Sequence, residues 1–211
     1  MLTSAKASSK ALILVDLQND FCPGGALAVS EGDHTIGVAN EVASKFELVI
    51  ATQDWHPADH GSFAANHEGH QPYDSIDLNG LQQVLWPVHC VQGSDGAKFH
   101  KDLDMAPVTK VVQKGTDSGI DSYSGFFDNG HRKSTGLADH LRASNVEEVF
   151  VLGLATDYCV KFTALDAVAE GFRVTLIEDG CRGVNLAPGD ADAAIEEMRA
   201  AGVTITTSKA L

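Results

Sequence analysis

At 211 residues, with 44% hydrophobic and 21% charged positions, the chain has the size and composition of one ordinary globular domain with room for an inserted segment. Its formal net charge of −14 repels phosphates, which argues against a nucleic-acid partner and against docking on an anionic membrane. Residues 1–10 are small and polar, and no apolar run is long enough for a signal core or a membrane span, so the sequence reads as a cytoplasmic protein.

The first predicted element is a strand at residues 11–15, an unbroken apolar run. A helix follows at 35–44, apolar at Ile36, Val38, Ala39, Val42 and Ala43, and a second strand covers 47–52. Residues 57–94 then lose all periodicity and are rich in Gly, His, Asn and Pro. Irregular segments of that length inside a domain are usually functional. A short strand is expected at 110–113, and a second irregular stretch, 116–134, carries Asp128-Asn129-Gly130 as a hairpin-turn signal. A helix at 137–143 follows Thr135, a candidate N-cap. The rest alternates: strand 148–153, helix 159–170 stopped by Gly171, strand 173–177, helix 191–201 stopped by Gly202, and strand 203–206. Continuous β-branched runs suit a parallel sheet buried on both faces. Their alternation with helices predicts a doubly wound α/β fold: a mainly parallel six-stranded sheet with helices on both faces. No repeat or linker divides the chain, so residues 1–211 are expected to form a single domain.

In such sheets, ligands bind outside the carboxyl ends of the strands. Reading the residue after each strand brings Asp16, Asp54 and His56, Lys114, and Ala155 to Cys159 to one edge. Alone, Asp16 reads as a turn carboxylate and Lys114 as a surface lysine; at one edge they can pair in a cleft, both charged. Cys159 lies where a strand passes into a helix. It reads either as a buried structural cysteine or as a thiol whose pKa is lowered by the helix N-terminus and by Lys114. Backbone N–H groups at that turn can receive a developing oxyanion. In an extended chain Asp54 and His56 project to the same side and can chelate one ion, with His60 and His89 following. A carboxylate with several imidazoles suits zinc, iron or manganese. The other cysteines, Cys22, Cys90 and Cys181, are widely spaced and read as free thiols; Cys90 is not expected as a ligand. No phosphate-binding glycine motif follows any strand.

The segments Val15-Asp16-Leu17-Gln18-Asn19-Asp20-Phe21, Gln53-Asp54-Trp55-His56-Pro57, Trp86-Pro87-Val88-His89-Cys90, Gln113-Lys114-Gly115, Tyr123-Ser124-Gly125-Phe126-Phe127 and Gly153-Leu154-Ala155-Thr156-Asp157-Tyr158-Cys159-Val160 appear in that order. Together they resemble the nicotinamidases of the isochorismatase-like cysteine hydrolase superfamily. The resemblance implies hydrolysis of nicotinamide to nicotinate and ammonia in NAD salvage, with pyrazinamide as a second substrate. It implies a catalytic triad of Asp16, Lys114 and Cys159, an oxyanion hole from the backbone of Ala155 and Cys159, and a cis bond between Leu154 and Ala155. It implies one divalent metal ion on Asp54, His56 and His89, with His60 as a ligand only in some relatives. It also implies a pyridine pocket lined by Phe21, Trp86 and Tyr123, which otherwise read as core, and makes 57–94 a metal- and substrate-binding insertion. Within that superfamily, Cys159 separates the chain from isochorismatases, and the metal ligands separate it from carbamoyl-amide hydrolases. A homo-oligomer is compatible with the sequence.

Overall fold

The computed structural model describes residues 9–211. Residues 1–8, which carry most of the polar N-terminus read above as lacking a targeting signal, lie outside the described residues. Among the described residues, no helix is long and apolar enough to cross a membrane.

Six strands form one sheet: β1 (Ser9–Val15), β2 (Leu48–Asp54), β5 (Val108–Lys114), β6 (Val146–Leu154), β7 (Arg173–Arg182) and β8 (Thr204–Thr206). Their order is β5-β2-β1-β6-β7-β8, and every neighbouring pair is parallel. The central strands are buried on both faces, as their unbroken apolar runs require; Ala11 to Val15 are at most 1% exposed. Edge strand β5 alternates instead, with Val112 and Lys114 inward and Val111 outward.

From β1 the chain steps one way, through α1 (His34–Ala43), to β2. From β6 it steps the other way, through α3 (Lys161–Ala169) and α4 (Asp190–Ala200), to β7 and β8. Right-handed crossovers in opposite directions place α1 on one face and α3 and α4 on the other. The helix α2 (Leu137–Ala143) links β5 to β6 and packs on β6. The reversal between β1 and β6 opens a crevice at their carboxyl ends.

Three local outcomes differ from the sequence reading. Residues 57–94 are not wholly irregular. They contain an antiparallel hairpin, β3 (Ser75–Leu78) and β4 (Leu81–Val84), turned by Asn79-Gly80, both at positive φ (52° and 87°). Asn-Gly was the signal there, flanked by Ile76, Leu78 and Leu81. Asp128-Asn129-Gly130 makes a turn that closes a single antiparallel bridge, Phe127 with Ser134, rather than a pair of full strands; Asp128 Oδ1 accepts the N–H groups of Gly130 and Arg132. The strand β7 continues past Ile177 to Arg182 because its register against β6 jumps: Val151 pairs with Leu176, but Gly153 pairs with Cys181. The helix α2 starts where expected, though with a different N-cap, and α3 starts two residues later. Gly136 (φ 82°) is the N-cap of α2, and Thr135 Oγ1 accepts the Leu137 N–H from one position further back. The helix α3 begins at Lys161, after a wide π-helical turn, Thr156–Val160, in which the N–H groups of Tyr158 and Val160 both bond to the Ala155 carbonyl at 3.1 Å.

Candidate active site

Four strand ends meet at the crevice. Asp16 is the first residue after β1, at φ 49°, and Thr52 of β2 grips it twice. The Thr52 hydroxyl donates to Asp16 Oδ1 (2.6 Å) and accepts the Asp16 N–H (3.2 Å). Parallel pairing sets Asp54 beside Lys114 in register. The Lys114 ammonium crosses from the edge strand to reach Asp54 Oδ1 (2.5 Å), Asp16 Oδ2 (2.8 Å), the Ser122 carbonyl (3.0 Å) and Cys159 Sγ (3.3 Å). Asp16, Asp54 and Cys159 bring their side-chain atoms within 4.8 Å of one another. Gln18 holds Asp54 like a short strand: its side chain accepts the Asp54 N–H and donates to the Asp54 carbonyl, each at 2.8 Å.

The electrostatics of this cluster are set by complete burial. Burial raises Asp16 and the neighbouring Asp54 adds to it, while Lys114 opposes, leaving Asp16 at about 6. Burial alone would lower Lys114, but the two carboxylates outweigh it and hold the ammonium well above its usual range. Burial likewise works against ionised Asp54, yet Lys114 and His56 pull it well below the carboxylate range. The Cys159 thiol is pushed well above its ordinary value by burial, reinforced by Asp16 and Asp54 and only partly offset by Lys114. This corrects the expectation of a lowered thiol pKa. One ammonium does not outweigh desolvation and two carboxylates, so the resting sulfur carries its proton.

Next to the thiol, Asp54, His56 and His89 converge. His56 Nδ1–H donates to the Gly115 carbonyl (2.9 Å) and His89 Nδ1–H to the Pro87 carbonyl (2.8 Å). Those bonds fix the ring orientations, so both Nε2 atoms face Asp54 Oδ2, at 3.6 and 3.8 Å; burial opposes a charge on His56, but Asp54 raises it above the usual imidazole range. Gly115 is required here: at φ 63°, a Cβ would lie 2.3 Å from the His56 ring. Burial, with His56 nearby, lowers His89 to about 4, and burial lowers His60, so both imidazoles stay neutral. His60 groups with His56 and Asp121 and not with Asp54 and His89. Its Nε2 is buried and without a partner, while its Nδ1 contacts the Ser62 hydroxyl at 2.7 Å. Two imidazole nitrogens and a carboxylate oxygen form a donor set that fits a divalent cation, which would take the place of any proton on His56.

A narrow, mostly apolar cleft opens over Cys159. Phe21, Trp86, Tyr123 and Tyr158 supply its aromatic wall, Asp54, His56 and His89 one end, and Ala155 and Cys159 the floor.

The sequence matches the isochorismatase domain family over residues 10–210. The chain belongs to the isochorismatase family. Within this family it is similar to the nicotinamidase of Escherichia coli K12, with 56% identity over 202 residues and 94% of each chain covered. Among solved structures it is similar to an Acinetobacter baumanii nicotinamidase/pyrazinamidase (TM-score 0.94, 45% identity, 97% and 99% of the two chains). It is also similar to a pyrazinamidase of Pyrococcus horikoshii in complex with zinc (TM-score 0.77, 40% identity, 94% and 99%).

The isochorismatase-family crevice gathers every residue singled out from the sequence except His60, which stands one ring further back, 4.3 Å from His56 between centroids. The Leu154–Ala155 bond is cis. Cys90 turns its sulfur toward the Gly96 carbonyl, away from the histidines. Sequence reasoning missed Thr52, Gln83 and Asp121. Asp121 lines the cleft, and its only sequence signal was its place in the irregular stretch 116–134. Thr52 and Gln83 look like ordinary strand residues until the neighbouring strands are in place.

Proposed function

We propose that the protein is a nicotinamidase, which hydrolyses nicotinamide to nicotinate and ammonia through a thioester on Cys159 and also accepts pyrazinamide. One observation carries the mechanism: the sulfur, the Asp16 carboxylate and the Lys114 ammonium meet in a buried point beneath an aromatic cleft.

Asp54, His56 and His89 would hold a divalent cation, and their mixed oxygen and nitrogen donors admit zinc, iron or manganese. When bound, it supplies a Lewis-acid contact that suits the ring nitrogen of a heteroaromatic amide. Phe21, Trp86 and Tyr123 sandwich the ring and direct the carboxamide toward Cys159. Asp16, at about 6, takes the thiol proton as sulfur bonds to the amide carbon. Lys114 compensates the anionic sulfur, and the N–H groups of Ala155 and Cys159 receive the oxyanion. The C–N bond then breaks, and Asp16 returns the proton to the departing ammonia. Water, deprotonated by Asp16, attacks the thioester; the C–S bond breaks, nicotinate forms and the proton returns to sulfur. All four cysteines are unpaired, which fits a reducing compartment, and we place the enzyme in the cytoplasm.

The deciding experiment measures ammonia release from nicotinamide and pyrazinamide. Activity on neither would overturn the reading. Because the base must be ionised, and its carboxyl sits at about 6, kcat/KM is expected to fall as pH drops through that value. A profile flat down to pH ~4 would remove Asp16 from the role. His56→Ala or His89→Ala is expected to strip the cation and raise KM. The affinity loss should exceed the roughly 10–100-fold that removing an outer partner costs. Unchanged metal content by mass spectrometry would show the ligand set to be wrong.

A further inference from the structure

The β3–β4 hairpin holds its apolar side chains, Ile76, Leu78, Leu81 and Val84, only partly buried, and Gln83 is its one fully buried side chain. The Gln83 amide nitrogen lies within bonding distance of three oxygens: the Val84 carbonyl (2.8 Å), Asp121 Oδ2 (3.0 Å) and the Tyr123 hydroxyl (3.1 Å). Trp86 Nε1 donates to the same hydroxyl at 3.1 Å. Asp121 and Tyr123 both line the cleft, whereas Gln83 does not. Between them, the Ser122 carbonyl receives the Lys114 ammonium (3.0 Å), and the Ser122 N–H bonds to Asp121 Oδ1 (2.7 Å). Gln83 therefore grips both ends of a three-residue segment that carries one wall of the cleft and one partner of Lys114.

We propose that Gln83 is a positioning residue for substrate binding, acting through Tyr123 and Asp121 to hold the aromatic wall at the spacing the ring requires. The proposal rests on the nicotinamidase reading. It makes the hairpin part of the substrate site, although none of its residues lines the cleft. Removing the donors leaves the Tyr123 hydroxyl held by Trp86 alone and leaves an oxygen of Asp121 unsatisfied, so the wall gains freedom that ring binding must remove.

The test uses Gln83→Met, which keeps the length and deletes the donors, together with Tyr123→Phe and the double variant, all checked for an unchanged melting profile. Gln83→Met is expected to raise KM for nicotinamide about tenfold with kcat within about threefold of wild type. In the Cys159→Ala background, it is expected to weaken nicotinate binding, measured by calorimetry, by a similar factor. Tyr123→Phe should raise KM in the same direction, and the double variant should fall short of the combined single effects, since both variants lose the same bond at the Tyr123 hydroxyl. A folded Gln83→Met enzyme with wild-type KM and nicotinate affinity would overturn the proposal. So would fully additive effects. If Gln83→Met does not fold, an unchanged KM in Tyr123→Phe overturns it alone. Wild-type enzyme that releases no ammonia instead overturns the nicotinamidase reading, an outcome no variant result can mimic.

Discussion

Cys159→Ala is expected to lower turnover of nicotinamide by roughly four orders of magnitude or more, while nicotinate still binds within a few-fold of wild type. No second nucleophile is close to the reacting position: Asp16 and Lys114 are committed to each other at 2.8 Å, and the aromatic wall offers only two phenols. Both Tyr123 and Tyr158 are pushed up by burial, Tyr158 to about 12, so neither supplies a phenolate. Binding survives because the cleft walls and the Asp54, His56 and His89 cluster do not depend on the sulfur for position. Cys159→Ser separates sulfur chemistry from volume: a hydroxyl beside the same base is a far weaker nucleophile, and it should be as inactive as alanine. Near-wild-type ammonia release from Cys159→Ala, measured with tight exclusion of contaminating enzyme, would remove covalent catalysis.

Lys114→Met is expected to abolish activity and also to destabilise the fold by about 3–5 kcal/mol. The ammonium is 2% exposed and lies between two carboxylates that are themselves fully or nearly fully buried. Taking away the cation leaves two like charges in a dry site, a far larger loss than that of a surface ion pair. Asp16 should respond by holding its proton to higher pH, since Lys114 is the main influence keeping it as low as about 6. A base that stays protonated takes nothing from the thiol, so the chemical defect and the stability defect have one cause. Arginine is not a conservative replacement, because its planar fork does not fit where a compact ammonium meets four partners. Urea unfolding of Lys114→Met and of the double variant Asp16→Asn/Lys114→Met checks the argument: the second should recover part of the loss. A single variant as stable as wild type would show that the two carboxylates are solvated or already protonated.

The sequence by itself determined the sheet and most of its edge chemistry. Six apolar runs separated by amphipathic segments leave a parallel sheet as the way to bury strands on both faces, and the strand ends then name Asp16, Asp54, Lys114 and Cys159. The pattern of motifs around them pointed to the family on its own. What only the tertiary structure decided was the state of those groups and who holds them. The protonated thiol of Cys159 follows from burial against two carboxylates, a balance of distances that no spacing encodes. The hairpin was legible in Asn79-Gly80 and the apolar residues beside it, but its strands are only four residues long and sit in a stretch without other periodicity. Thr52, Gln83 and Asp121 escaped notice because each works through partners 36 to 38 positions away in the chain, and hydrogen bonds of that range exist only once the strands have come together.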